Sequence, residues 1–151
     1  MNLYIMCGLP GSGKSTWARH LVESGNALCV SRDSIRSMVG AGKYVFNKEM
    51  EPAIKSIAHY GICSLLDFND VVVDETHITK ESRSNMIEVA KSVGATPIIV
   101  HCYEVEGNID RRMSGDSRGY TREKWEEVIG GMMQKFDAPT EDECCVIRVG
   151  V

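Results

Sequence analysis

The run Gly8-Leu9-Pro10-Gly11-Ser12-Gly13-Lys14-Ser15 carries the pattern G-x-x-x-x-G-K-[ST] in full. Each residue type has a chemical reason. Gly8, Gly11 and Gly13 lack a Cβ, so the backbone can fold closely around phosphate oxygens. The N–H groups around Ser12, at the start of a helix, then point at the anion. Lys14 would bridge the β- and γ-phosphates of a nucleoside triphosphate, and the Ser15 hydroxyl would ligate Mg²⁺. Thr16 lies beside this shell, within reach of the α-phosphate. A glycine-rich turn without a ligand is the plain alternative.

Two further places bring acids to the ends of apolar runs. Val71-Val72-Val73 is followed by Asp74-Glu75-Thr76, and a carboxylate there could orient Mg²⁺ or its water. The run ending at Val30 leads into Ser31-Arg32-Asp33-Ser34-Ile35-Arg36. Asp33 at a strand end could accept the proton of an attacking hydroxyl. Arg36, one helical turn later, could grip an acceptor phosphate with both arms. The plain alternatives are that Asp33 caps a helix and Arg36 pairs at the surface.

These residues need elements that hold them at one edge. Strands are expected at 3–7, 27–30, 71–73, 97–102 and 145–149. Helices are expected at 13–24, at 31–39 with Ser31 or Asp33 as cap, and at 48–68 capped by Asn47. The last of these would bury Ile54, Ile57, Ala58, Ile62, Leu65 and Leu66. Another should start at Thr79 and bury Met86, Val89, Ala90 and Val93, ending at Gly94. A helix over 106–113 leads into a polar stretch, 114–119. A last helix, capped by Thr121, carries Trp125, Val128, Ile129, Met132 and Phe136 as a core stripe. Strands alternating with helices imply a parallel α/β sheet, with ligands beyond the strands' carboxyl ends.

A phosphate loop alone does not name a reaction. A GTPase would want N-K-x-D, but Asn47-Lys48-Glu49-Met50 lacks the Asp. It would also want D-x-x-G, and Asp74-Glu75-Thr76-His77 lacks the Gly. Motors and transporters need longer chains. A small phosphotransferase remains.

Gly8 to Ala18 together with Ser31 to Arg36 resembles the kinase domain of phage polynucleotide 5′-hydroxyl kinases. In that family the phosphate loop continues as Thr-Trp-Ala, here Thr16-Trp17-Ala18, and the second strand leads to Arg-Asp-x-x-Arg, here Arg32 to Arg36. Val73-Asp74-Glu75-Thr76-His77-Ile78 is similar to the family's third-strand segment, with His77 where the family has Asn. The resemblance spans residues 2–137 and is loose after Arg36. It implies a three-layer P-loop kinase fold, with a mainly parallel five-stranded sheet and a short lid over about 111–120. It implies ATP and Mg²⁺ held by Lys14 and Ser15, and Asp33 as general base for the 5′-hydroxyl. Arg36 would hold the adjoining phosphate. Asp74 or Glu75, with Thr76, would organise the acceptor side. Arg118, following Arg111 and Arg112 in the lid, would contact the donor phosphates. The implied partner is a DNA or RNA 5′-OH end. A small-molecule or nucleoside kinase on the same scaffold is the nearest alternative, and a nucleotide-binding regulatory subunit the next.

Composition sets outer limits. The chain has 151 residues, 17 basic and 21 acidic, for a net charge of −4, with 43% hydrophobic residues. This fits one kinase domain over 1–151, with no room for an added phosphatase. The acidic balance restricts any nucleic-acid contact to a terminal nucleotide or two. No apolar run approaches bilayer length, and the start lacks a basic n-region, so an intracellular, cytoplasmic protein is expected. The six cysteines contain no C-x-x-C and are expected to be buried, inert thiols.

Overall fold

The computed structural model describes residues 1–103, 107–116 and 118–150. In chain order the elements are β1 (Asn2–Cys7), α1 (Lys14–Glu23), β2 (Leu28–Val30), α2 (Arg32–Val39) and α3 (Glu51–Leu65). Then follow β3 (Val71–Val73), α4 (Lys80–Ser92), β4 (Thr96–Cys102), α5 (Asn108–Ser114), α6 (Arg122–Met133) and β5 (Cys145–Val149). Glu106 and Ser117, which belong to the expected fifth helix and the polar stretch, lie outside the described residues.

The strands form one sheet in the order β2-β3-β1-β4-β5. Every pairing is parallel, so the sheet is wholly rather than mainly parallel. Alternation splits β1 between two layers. Leu3, Ile5 and Cys7 pack with Ala58 and Ile62 of α3 and Ile87 and Ala90 of α4. Met6 faces the other way, with Ala18 of α1, Val72 and Val100. Strands covered on both faces read as continuous apolar runs, which is why Val71-Val72-Val73 is fully buried. From β1 the chain builds the sheet first toward β3 and β2, then toward β4 and β5. The carboxyl end of β1 is therefore the switch point, where ligands of such sheets bind. The loop after it is the phosphate-loop sequence.

Capping explains three of the six helix starts among the described residues. The Ser31, Thr79 and Thr121 side chains accept from the N–H of Ser34, Ser82 and Lys124, so Ser31 rather than Asp33 caps α2. The third helix departs from expectation. It starts at Glu51 with Pro52 in its first turn, and Asn47 instead closes a turn by accepting from Glu49 N–H at 2.9 Å. Ile57 and Val93, placed in the core by periodicity, are 42% and 41% exposed. The α3 stripe is narrower than its apolar residues allow, and Ile87 takes the inward position on α4. Among the described residues no helix is long and apolar enough to cross a membrane.

Arg83 of α4 is wholly buried, a placement its charge alone would forbid. Its guanidinium meets both oxygens of Glu143, each at 2.8 Å, and donates to the carbonyls of Asp137 and His77. This clasp fastens the segment leading to β5 onto α4 and the β3 end. Glu143→Gln should destabilise the fold by about 3–5 kcal/mol in urea unfolding, because it strands a buried cation. Pairing it with Arg83→Met should recover most of that loss; a single variant within about 1 kcal/mol of the parent would contradict the clasp.

Candidate active site

The phosphate loop is shaped by close backbone packing. Gly8, Gly11 and Gly13 have φ of +150°, +79° and +90°. A Cβ on Gly8 would lie 2.4 Å from the Cys102 carbonyl, and one on Gly11 2.1 Å from the Asn108 carbonyl. Gly8 N–H donates to Thr76 O at 3.0 Å, joining the loop to the β3 end. Arg111 Nε reaches Gly11 O at 3.0 Å from α5.

Unlike α2, α4 and α6, helix α1 begins on Gly13 with no side-chain cap and no acid in its first turn. Its N–H groups and positive end are left to an outside anion, so a phosphate fits here. Lys14 is 7% exposed, and its ammonium donates to Leu9 O at 2.6 Å with Ser12 Oγ at 3.5 Å. Ser15 stands exposed on the same turn. Ser12 is fully buried with its N–H on Leu9 O at 3.2 Å, so it shapes the loop from within, and Thr16 is exposed but outside the cleft lining. Among the described residues there is no group of three metal-ligating side chains. A Mg²⁺ held by Ser15, with Asp74 nearby, would take its other ligands from phosphate and water, as this ion commonly does.

A cleft of about 800 Å³ brings the sequence-predicted residues together: Lys14 and Ser15, Asp33 and Arg36, Asp74 to Thr76, and Arg118. Asp33 is its node. Arg36 Nη1 bonds its Oδ1 at 2.7 Å and Arg118 Nη2 its Oδ2 at 2.7 Å, while Tyr44 OH reaches Oδ1 at 3.2 Å. The Asp33 side chain remains 49% exposed, open to a substrate group.

Arg36 itself is buried and gripped by Glu51, Nε to Oε1 at 2.9 Å and Nη2 to Oε2 at 2.6 Å. The two-armed grip that spacing reserves for a phosphate is thus filled by a carboxylate. Of five guanidinium N–H groups Glu51 takes two and Asp33 one, leaving two. Arg32 pairs with both oxygens of Glu75. Glu75 is thereby paired, whereas Asp74 lies near enough to Lys14 to act on its charge.

The Arg118 side chain is boxed by rings. The Arg118 guanidinium lies 4.9 Å from the Tyr44 ring centre, 5.6 Å from Trp125 and 6.0 Å from Tyr120. Asp116 ties this corner down, accepting from the N–H of Arg118 and Tyr120 and from Trp125 Nε1. Burial works most strongly against its charge, yet these donors together hold its carboxyl below the usual range. Arg112 stacks at 4.6 Å on Trp125. Trp125 is therefore core, as its periodicity predicts, and also the ring beneath Arg112 and Arg118.

His77 is buried at φ +32°, in a region where Asn, Asp and His are the least strained non-glycine residues. That accounts for His standing where the resembled family has Asn. Its Nδ1 faces Met6 O at 2.9 Å and must donate to it; burial lowers its pKa, so the ring is a neutral strut. The cysteines correct their expectation in part: Cys7 and Cys102 are buried, but Cys29 and Cys145 are exposed. Tyr44, Glu51 and Asp116 carry no sequence signal, since they reach the site only through folding.

A family model for an AAA domain (AAA_33) matches residues 3–139. The chain belongs to this family. Solved structures share its fold. An RNA repair complex of Pnkp1, Rnl and Hen1 contains a chain that superposes with a TM-score of 0.70 at 24% identity, over 90% of this chain and 46% of that one. Kti12 from Chaetomium thermophilum, solved with ADP-AlF3, superposes with a TM-score of 0.70 at 21% identity, over 98% and 88%. In sequence, a 2′,3′-cyclic-nucleotide 3′-phosphodiesterase of Pongo abelii is 34% identical over 90 residues, 58% of this chain and 21% of that protein. The chain thus spans about a fifth of the curated relatives it matches. This AAA-domain chain has the P-loop kinase fold, with five parallel strands and the phosphate loop after β1.

Burial lowers the Lys14 pKa to about 8, against the opposing pull of Asp74. Triphosphate binding needs the ammonium, so affinity is full below that pH and falls as pH rises through it. Calorimetric titration with ATP should give binding about tenfold weaker at pH 9 than at pH 7. Equal affinity at both values would contradict a Lys14 contact.

Proposed function

We propose that the chain is an ATP-dependent polynucleotide 5′-hydroxyl kinase, organised as one kinase domain over 1–151. The observation that carries the reading is Asp33, half-exposed, set by Arg36 and bridged by lid Arg118 in the cleft that also holds the phosphate loop. The neighbour in an RNA repair complex and the cyclic-nucleotide phosphodiesterase relative support a nucleic-acid acceptor.

In this reading the loop of Gly8, Gly11, Ser12 and Gly13 wraps the donor phosphates, Gly8 and Ser12 holding its shape through their bonds to Thr76 O and Leu9 O and the uncapped start of α1 turning its N–H groups to the anion, with Thr16 beside them. Lys14 leaves the Leu9 carbonyl for the β- and γ-phosphates. Mg²⁺, when bound at Ser15 and Asp74, offsets phosphate charge. Asp33 accepts the 5′-hydroxyl proton as the hydroxyl oxygen bonds to the γ-phosphorus. The bond from that phosphorus to the ADP oxygen breaks, and its electron pair leaves with ADP. Arg36 keeps Asp33 aimed and lends its two remaining N–H groups to the acceptor phosphate. Glu75 and Thr76 shape the acceptor wall, with Glu75 held by Arg32. Arg118 must exchange Asp33 for the donor phosphates, which frees the base as the lid engages ATP.

Labelled ATP should pass its γ-phosphate to a 5′-OH oligonucleotide in preference to free nucleosides. Asp33→Asn should lower kcat by about 10²- to 10⁴-fold at unchanged thermal stability. An unmodified protein with Mg²⁺ that phosphorylates only small molecules, or an Asp33→Asn variant at full rate, would sink the reading. Because the net charge is −4 and Arg32, Arg36 and Arg118 are already paired with carboxylates, oligonucleotide binding should depend weakly on salt. A log–log slope shallower than about −2 is expected, and a steep one would point to an extended basic track.

A further inference from the structure

The loop between α2 and α3 supplies more than Tyr44. Its backbone is pinned by Gly42 N–H to Ser37 O at 2.8 Å and Lys43 N–H to Gly40 O at 3.1 Å. Residues 44–47 then run in neither helix nor strand. Tyr44 and Phe46, two apart, both lie against the Arg36 guanidinium, with ring centres 6.0 and 5.8 Å from its carbon. Their surroundings differ. Tyr44 turns to Asp33, while Phe46 stays 63% exposed. Val45, whose side chain lies beside Gly40, and Val39 are also exposed, at 36% and 44%.

A lone exposed phenylalanine needs no explanation. This one rests on the arginine that holds Asp33, and the exposed Lys43 and Lys48 flank it in the chain. Aromatic faces beside cations are how proteins hold single strands, by stacking bases and attracting phosphates. The apolar surface is continuous with the candidate acceptor site through Arg36, and its cations complement a polyanion.

We propose that Phe46 is a stacking platform for a nucleobase of the acceptor strand, with Lys43 and Lys48 drawing the adjoining phosphates. The proposal rests on the kinase reading above and extends its acceptor site. The terminal nucleotide sits at Asp33 and Arg36, and the next base lies on Phe46. Only a single-stranded end, whose bases can unstack, would use it fully.

The test compares the parent protein with Phe46→Ala and Phe46→Trp on two acceptors, a single-stranded 5′-OH hexanucleotide and a nucleoside 3′-monophosphate. Phe46→Ala should raise the hexanucleotide KM by about fivefold or more, the loss expected for one stacked base. Its kcat, its KM for ATP and its KM for the nucleoside 3′-monophosphate should stay within about twofold of the parent. Phe46→Trp should keep the parent KM, and the added indole should be quenched by the hexanucleotide. An unchanged hexanucleotide KM in Phe46→Ala, or an unquenched indole, overturns the platform while leaving the kinase reading intact. Transfer to neither acceptor by the parent protein sinks the kinase reading instead, and quenching then judges the platform alone. An effect of Phe46→Ala confined to self-association in sedimentation would make the patch a protein interface and overturn the proposal.

Discussion

Two arginines from opposite sides of the cleft converge on one carboxylate. Asp33 has Arg36 on one oxygen and Arg118 on the other, each at 2.7 Å. A half-exposed carboxylate between two cations is an electrostatic knot, and much of the surrounding structure exists to hold it. Ser31 caps α2 and sets the angle at which Asp33 leaves β2. Glu51 arrives from α3 to fix Arg36 by two bonds. Asp116 and a ring box fix Arg118 from the stretch before α6. Charge-assisted bonds of this kind are strong and directional, so small displacements of any one element would be felt at the carboxylate.

The phosphate loop is organised by a different force. Its shape depends on what is missing: no Cβ at Gly8 or Gly11, where neighbouring carbonyls approach within van der Waals range of the backbone. The uncapped start of α1 and the low-lying Lys14 follow from that fold. Burial makes Lys14 a reluctant cation, and a reluctant cation gains most from an incoming anion. The loop is therefore prepared for phosphate by desolvation as much as by geometry.

The two halves meet through the sheet. Gly8 is bonded to Thr76, and His77 is bonded to Met6, so the ends of β1 and β3 move as one. Arg83 carries that connection to the segment before β5, by way of the His77 carbonyl and Glu143. A buried ion pair far from solvent is a weak source of net stability but a strict one of register, since either partner alone is costly to bury. That strictness suits a cleft whose lining residues come from several separate elements.

Much of this was legible in residue types. The glycine-lysine-serine spacing, the all-valine third strand and the acids at strand ends depend on local backbone chemistry and on period, which survive in one dimension. Strand positions and the Thr79 and Thr121 caps follow from the same rules. Where the chain had to choose among several apolar residues, period alone failed: Ile57 and Val93 face water because packing partners, not spacing, select the buried stripe. The start of α3 moved because Pro52 fits the first turn of a helix better than its interior. Asp33 and Arg36 could be picked out by spacing, but that Glu51 fills the arginine's fork, that Arg32 pairs with Glu75, and that Tyr44, Asp116 and Trp125 box Arg118 belong to the tertiary structure alone. The Glu51–Arg36 and Arg32–Glu75 contacts join residues 15 and 43 positions apart, and side chains so distant in sequence leave no periodic trace until the sheet brings their elements to one edge.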